Sequence, residues 1–223
     1  MSEQEEIPSL ERGRDLSRIV AFTDGVFAIA ITLLVLQLDV PKGITSASDL
    51  WQQVFVDQGV DFVAFLISFA VIGRYWILNH RLMRLIREFD QAMLGLLLLY
   101  LLFIVLIPFS SELMGEYGDF DLSVVLYVAN LILVAFSSTL VMIHARRADL
   151  ESPEYGEELE VSIRGGWFVT AVFVLTLPLV LLVGPWALLL WIPVLRFGPR
   201  DRRIRARKRE ARRSGGDEPP DRT

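Results

Sequence analysis

The stretch Arg18-Ile-Val-Ala-Phe22-Thr23-Asp24-Gly-Val-Phe-Ala-Ile29-Ala-Ile-Thr32-Leu-Leu-Val-Leu36 decides the fold. From Ile19 to Leu38 its one ionisable side chain is Asp24. About twenty apolar residues in a helix cross the ~30 Å hydrocarbon layer of a bilayer. Three more runs have this character, at Val60–Asn79, Ala92–Phe109 and Leu122–Ile143. A fifth apolar region, Gly166–Leu195, contains Gly184-Pro185, a pair that interrupts helices and divides the region into two spans, the second over Pro185–Phe197. With 53% hydrophobic residues and a mean hydropathy of +0.45, the exterior must face lipid. The fold class expected is an all-α membrane protein with six transmembrane helices.

Charge fixes the expected direction. Lys and Arg number three before the first span (Arg12, Arg14, Arg18), one after it (Lys42), three in the second loop (Arg81, Arg84, Arg87) and none in the third. Three more lie in the fourth loop (Arg146, Arg147, Arg164), and eleven from Arg196 onward. This alternation fits the positive-inside rule with both termini cytoplasmic. Glu3, Glu5, Glu6 and Glu11 ahead of the first run argue against a cleaved signal peptide. The expected organisation is a cytoplasmic segment over 1–17, a six-span unit over 18–197, and a basic tail over 198–223 with a disordered end. The tail suits anionic headgroups of the cell membrane, and no nucleic-acid partner is expected. Asp49–Val56 reads either as a short interfacial helix or as a plain loop. The third loop, with Glu112, Glu116, Asp119 and Asp121, makes the outer surface acidic.

The absence of cysteine excludes disulfides, thiolate metal sites and cysteine nucleophiles. His80 and His144 lack the spacing of a hydrolytic metal site, and neither a catalytic triad nor a phosphate-binding glycine loop can be drawn. No enzyme and no cofactor are expected. Ser137, Ser138 and Thr139 read as helix packing, and Asn130 as a bridge between helices. Trp51, Tyr75, Trp76, Tyr117, Trp167 and Trp191 fall near the expected aromatic belts.

Ionisable groups within a span are costly and are the first places to look for function. Asp24 and Arg74 should lie at similar depth, so the carboxylate is either half of a buried ion pair or a site for a permeating ion or proton. At 100° per residue, Phe22, Gly25, Ile29, Thr32, Leu33 and Leu36 share one stripe, and Asp24 points about 140° from Ile29. Taken alone, such a stripe is a helix contact or the wall of a conduit.

The first span resembles the signature Arg-x-x-x-Phe-Ser-Asp of the transmembrane protein 175 family, potassium channels of animal lysosomes and of bacterial and archaeal membranes. Thr23 stands at the serine. Ile72-Gly-Arg-Tyr-Trp76-Ile-Leu-Asn79-His80-Arg81 is similar to the family's tryptophan followed by paired histidines, with Asn79 in place of the first. The resemblance implies a homotetramer whose first helices surround a pore without a pore loop. It places a hydrophobic constriction at Ile29, a threonine layer at Thr32 that meets transient potassium, and a further apolar ring at Leu36. It also implies a network tying the first helix to its neighbours through Arg18, Phe22, Thr23, Asp24, Trp76 and His80; Arg74, unusual for the family, joins it as the partner that depth along the spans gives Asp24. Passive potassium conduction is the function so implied. A proton channel or proton-coupled transporter, with Asp24 and His80 as relay, and a non-conducting scaffold are the alternatives.

Overall fold

The computed structural model describes residues 3–183 and Trp191, with side chains over 16–180 and at Leu182 and Trp191. The expected sixth span, the 184–185 break and the basic tail lie outside the described residues. Within them the chain is helical: α1 (Glu3–Leu33), α2 (Ala47–Trp51), α3 (Gly59–Leu85), α4 (Gln91–Glu116), α5 (Asp121–Arg147) and α6 (Gly156–Val183). Five helical segments are long and apolar enough to cross a membrane, namely Leu16–Gln37, Gly59–Leu85, Gln91–Glu116, Asp121–Arg147 and Pro153–Val180. α1 starts at Glu3, so the segment ahead of Arg18 continues the same helix.

Local chemistry sets the boundaries. Asp90 caps α4 by accepting from the Met93 amide at 2.6 Å. Ser46 caps α2 in the same way, accepting from Asp49 at 3.1 Å. The helix continues through a π-turn over Gln52–Asp57, and Trp51 lies 4.5 Å from Phe55, centroid to centroid. Of the two readings of this stretch, the short helix is therefore the one present. α1 tightens at its C-terminal end into a 3₁₀ turn, Leu34–Gln37.

The centre of the bundle is α5. Val124, Tyr127, Val128, Leu131, Val134 and Ala135 are buried against α4 and α6, while α1 packs on α3 and α4. Gly166 lets α6 approach α5 closely, since a Cβ there would run into the Thr139 hydroxyl. Thr139 itself donates back to Ala135 O at 2.7 Å, which bears out its packing role. Asn130 does bridge helices, donating to Phe103 O at 3.3 Å and Ser110 Oγ at 3.2 Å on α4.

Two expected belt aromatics are in the core instead. Tyr75 and Trp191 are buried, and the Trp191 indole donates to Thr176 Oγ1 at 3.1 Å. Distance along a span gives depth but not facing, and these rings face inward.

Candidate permeation surface

The two faces of α1 are sharply different. Thr23, Phe27, Ala30 and Leu34, spaced four, three and four apart, are at most 2% exposed and pack into the bundle. On the other side, Phe22 is 54%, Ile29 59%, Leu33 39% and Leu36 75% exposed, with Gly25 and Thr32 exposed beside them. The stripe read from periodicity is thus directed away from the chain's own core. Its helix-contact reading within one subunit is removed; a surface for lipid, for other copies or for a conduit remains.

Thr32 is the hydroxyl of this surface, and its single proton is engaged. It donates to Ala28 O at 3.0 Å and Ile29 O at 2.9 Å in its own helix. The hydroxyl oxygen is left facing outward as an acceptor, the polarity a cation requires.

Behind the stripe, Asp24 accepts a hydrogen bond from the Trp76 indole at 2.9 Å. The partner expected from sequence was Arg74, and the correction has a geometric cause. Residues 74 and 76 lie about 200° apart around α3, so a helix that turns Trp76 toward α1 turns Arg74 away. Arg74 instead lines a cavity of about 170 Å³ between α3, α5 and α6, with Tyr75, Ser138 and Glu158. His80 stacks one turn below, its ring centroid 5.8 Å from that of Trp76. Asn79 is buried and donates to Thr23 Oγ1 at 3.4 Å, while Thr23 donates to Val20 O at 2.9 Å. An amide therefore fills the place of the first histidine. Of the expected network, the structure joins Asp24, Trp76 and His80, ties Thr23 to Asn79 instead, and leaves Arg18 and Phe22 on the exposed side of α1.

At the C-terminal end of α1 a polar cluster appears that the sequence did not announce. Gln37 donates to Pro108 O at 2.8 Å and accepts from Ser111 at 3.0 Å. Ser68 donates to Ser111 at 2.8 Å and lies 2.8 Å from the Tyr127 hydroxyl. Above Gln37 opens a recess of about 480 Å³ lined by Asp39, Asp61, Glu112 and Glu116. This face of the bundle is more acidic than the third loop alone suggested, because the first loop and the start of α3 contribute. Among the described residues, no cluster of three or more His, Asp or Glu could hold a metal.

At the opposite end of the bundle His144 Nε2 lies 2.8 Å from Asp90, linking the end of α5 to the start of α4. The Met93 amide, more than the imidazole, holds the Asp90 carboxyl below its usual 3.8.

Residues 18–108 match the model of a family described as endosomal/lysosomal potassium channel TMEM175. These residues are similar to that family. A potassium channel of Streptomyces collinus is 38% identical over 100 residues, 45% of this chain and 48% of that one. The endosomal/lysosomal proton channel TMEM175 of Bos taurus is 32% identical over 102 residues, 43% of this chain and 21% of that one. The crystal structure of a lysosomal potassium-selective channel TMEM175 homolog from Chamaesiphon minutus superposes with a TM-score of 0.69 at 25% identity, covering 82% of this chain and 93% of that one. The chain spans about half the length of the Streptomyces relative it matches. In this matched segment lie the α1 stripe, Asp24, Trp76, His80, Gln37, Ser68 and Pro108; Ser111 and Tyr127 follow it.

Proposed function

We propose that this multi-pass membrane protein is a potassium-selective cation channel, a homotetramer in which four copies of α1 line the pore. One observation carries the reading: an apolar stripe with a single outward hydroxyl oxygen layer lies exposed on the chain, opposite a fully buried face. Lipid does not require such a pattern, because a lipid-facing helix needs no regularly placed oxygen. Four copies around an axis bring Ile29, Thr32 and Leu36 into rings.

In this arrangement cations concentrate at the acidic outer surface. They pass Leu36, exchange part of their hydration for Thr32 oxygens, and pass Ile29, where four isoleucines can close the path by excluding water. A layer of four hydroxyls offers fewer ligands than stacked carbonyl rings, so selectivity for potassium over sodium is moderate. Nothing is chemically transformed, and the permeant potassium ion is the only small-molecule partner. The sixth span is assigned to 185–197. Both termini are placed in the cytoplasm of a cell-membrane protein, with the basic tail against anionic headgroups.

The proton-relay alternative has a named relative in its favour, the proton channel of Bos taurus. Against it, the group on Asp24 is an indole N–H, which donates and cannot accept, and it stands between Asp24 and His80.

The test is ion flux from liposomes holding purified protein, under a potassium and then a sodium gradient. The expected result is potassium flux exceeding sodium flux in the wild type, and larger flux of both in Ile29→Asn. Folded wild type and Ile29→Asn without flux would turn the reading toward a scaffold.

A further inference from the structure

The polar cluster at the outer end of α1 has a direction. Gln37 can meet the Pro108 carbonyl only with its amide nitrogen, so its amide oxygen is the end that accepts from Ser111. The Ser111 proton is thereby spent on Gln37 and the Ser68 proton on Ser111. Tyr127 must then donate to Ser68, and four hydrogen bonds run one way, from α5 through α3 and α4 to α1 and back to α4. Ser68, Ser111 and Tyr127 are fully buried, and the hydroxyls and the Gln37 amide are absent from the unsatisfied buried groups of the described residues.

The element this chain grips is a four-residue 3₁₀ turn. A 3₁₀ turn has poorer backbone geometry than an α-helix and little to resist rotation. Leu38 N to Val35 O, 3.2 Å, closes it. Leu36, the most exposed residue of the stripe, immediately precedes Gln37 in the same turn.

We infer that Gln37 is a positioning residue, a latch whose two hydrogen bonds to α4, backed by Ser68 and Tyr127, fix the rotation of the outer end of α1 and so set where Leu36 points. This rests on the channel reading above. It assigns control of the outer ring to residues that do not touch the permeating ion.

The absence of cysteine allows a direct test. Leu36→Cys is reconstituted in planar bilayers, and block of the current by a charged methanethiosulfonate reagent added from the acidic side is timed. The same measurement is made in the Gln37→Leu, Ser111→Ala and Tyr127→Phe backgrounds. The expected result is a change in modification rate of about tenfold for Gln37→Leu, the scale of one or two lost buried hydrogen bonds. The change is smaller for Ser111→Ala and smallest for Tyr127→Phe, which stands farthest along the chain. Melting temperatures measured in parallel separate this from general loosening, because a merely structural role lowers stability without moving the rate at Leu36. Equal rates in all four backgrounds overturn the latch and leave the pore reading intact. A Leu36→Cys current that the reagent never alters, in any background, overturns the pore reading and the latch with it. Should Gln37→Leu fail to fold, Ser111→Ala decides between the same outcomes.

Discussion

α1 and α5 are nearly equal in apolarity, with mean hydropathies of 2.4 and 2.2 over their most apolar windows, yet 22% of the α1 window is buried inside the chain against 56% for α5. The difference teaches that hydropathy reports only that a helix avoids water. What it faces instead is a separate question. α5 answers it with the chain's own core: large side chains such as Tyr127 and Leu131, internal amide and hydroxyl bridges, and a glycine contact with α6. α1 commits one narrow face, Thr23 to Leu34, and holds the other outward with a regular stripe. A helix built in this way is completed by something beyond one subunit, and in the proposed channel that is three more copies and a file of ions.

Changes in folding should follow the α5 side of this comparison, and changes in flux the α1 side. The largest contrast is between two glycines. Gly166→Leu drives a side chain into the Thr139 hydroxyl and should abolish folding, read as loss of a monodisperse peak in detergent. Gly25→Leu meets nothing within 4 Å of its Cβ in one subunit and should leave folding intact while reducing potassium flux. Next, Leu131→Ala, at a fully buried site, should cost about 2–5 kcal/mol of stability. Leu36→Ala, 75% exposed, should cost under about 0.5 kcal/mol, with both followed by thermal melts. Thr32→Ala should leave the melt unchanged and lower the potassium-to-sodium permeability ratio in bilayer recordings; an unchanged ratio would remove Thr32 from the ion's path.

The smallest effect lies away from both helices' central turns. The Asp90 carboxyl is held below 3.8 in the folded chain, so its contribution is fully present above 3.8 and is lost as pH falls through the lower folded value. Asp90→Asn should flatten that part of a melting-temperature curve against pH, lying slightly below the wild type at pH 7 and meeting it as pH falls below the folded value.

Much of this architecture was legible because membrane spans obey a length rule and helix faces a 3.6-residue period. The first span and its stripe follow from those two facts alone, and the structure keeps the stripe on one face; that this face turns outward is what the period left open. Asp24 shows where such reading stops. Depth along two helices made Arg74 a plausible partner, but depth is one coordinate of three, and rotation of α3 delivered Trp76. The Gln37 latch was further out of reach. Its members lie 71 and 74 residues from Gln37, or 43 and 59 residues from Ser68, and serine, glutamine and tyrosine in apolar helices carry no spacing signal. Only the packing of α3, α4 and α5 brings them together. The missing histidine at 79 was visible in the sequence, whereas the buried bond from Asn79 to Thr23 that replaces it was not.

The most direct test of a pore lined by α1 uses the cysteine-free background once more. Single cysteines are placed along α1 at Gly25, Ile29, Thr32 and Leu36 on the exposed stripe, and at Phe27, Ala30 and Leu34 on the buried face, and potassium current is followed during exposure to silver ions, which are about the size of potassium. Such a pore predicts block at the four stripe positions, slowed by excess potassium, and none at the three buried positions. Block without regard to face, or protection of the stripe and block of the buried face, would contradict it.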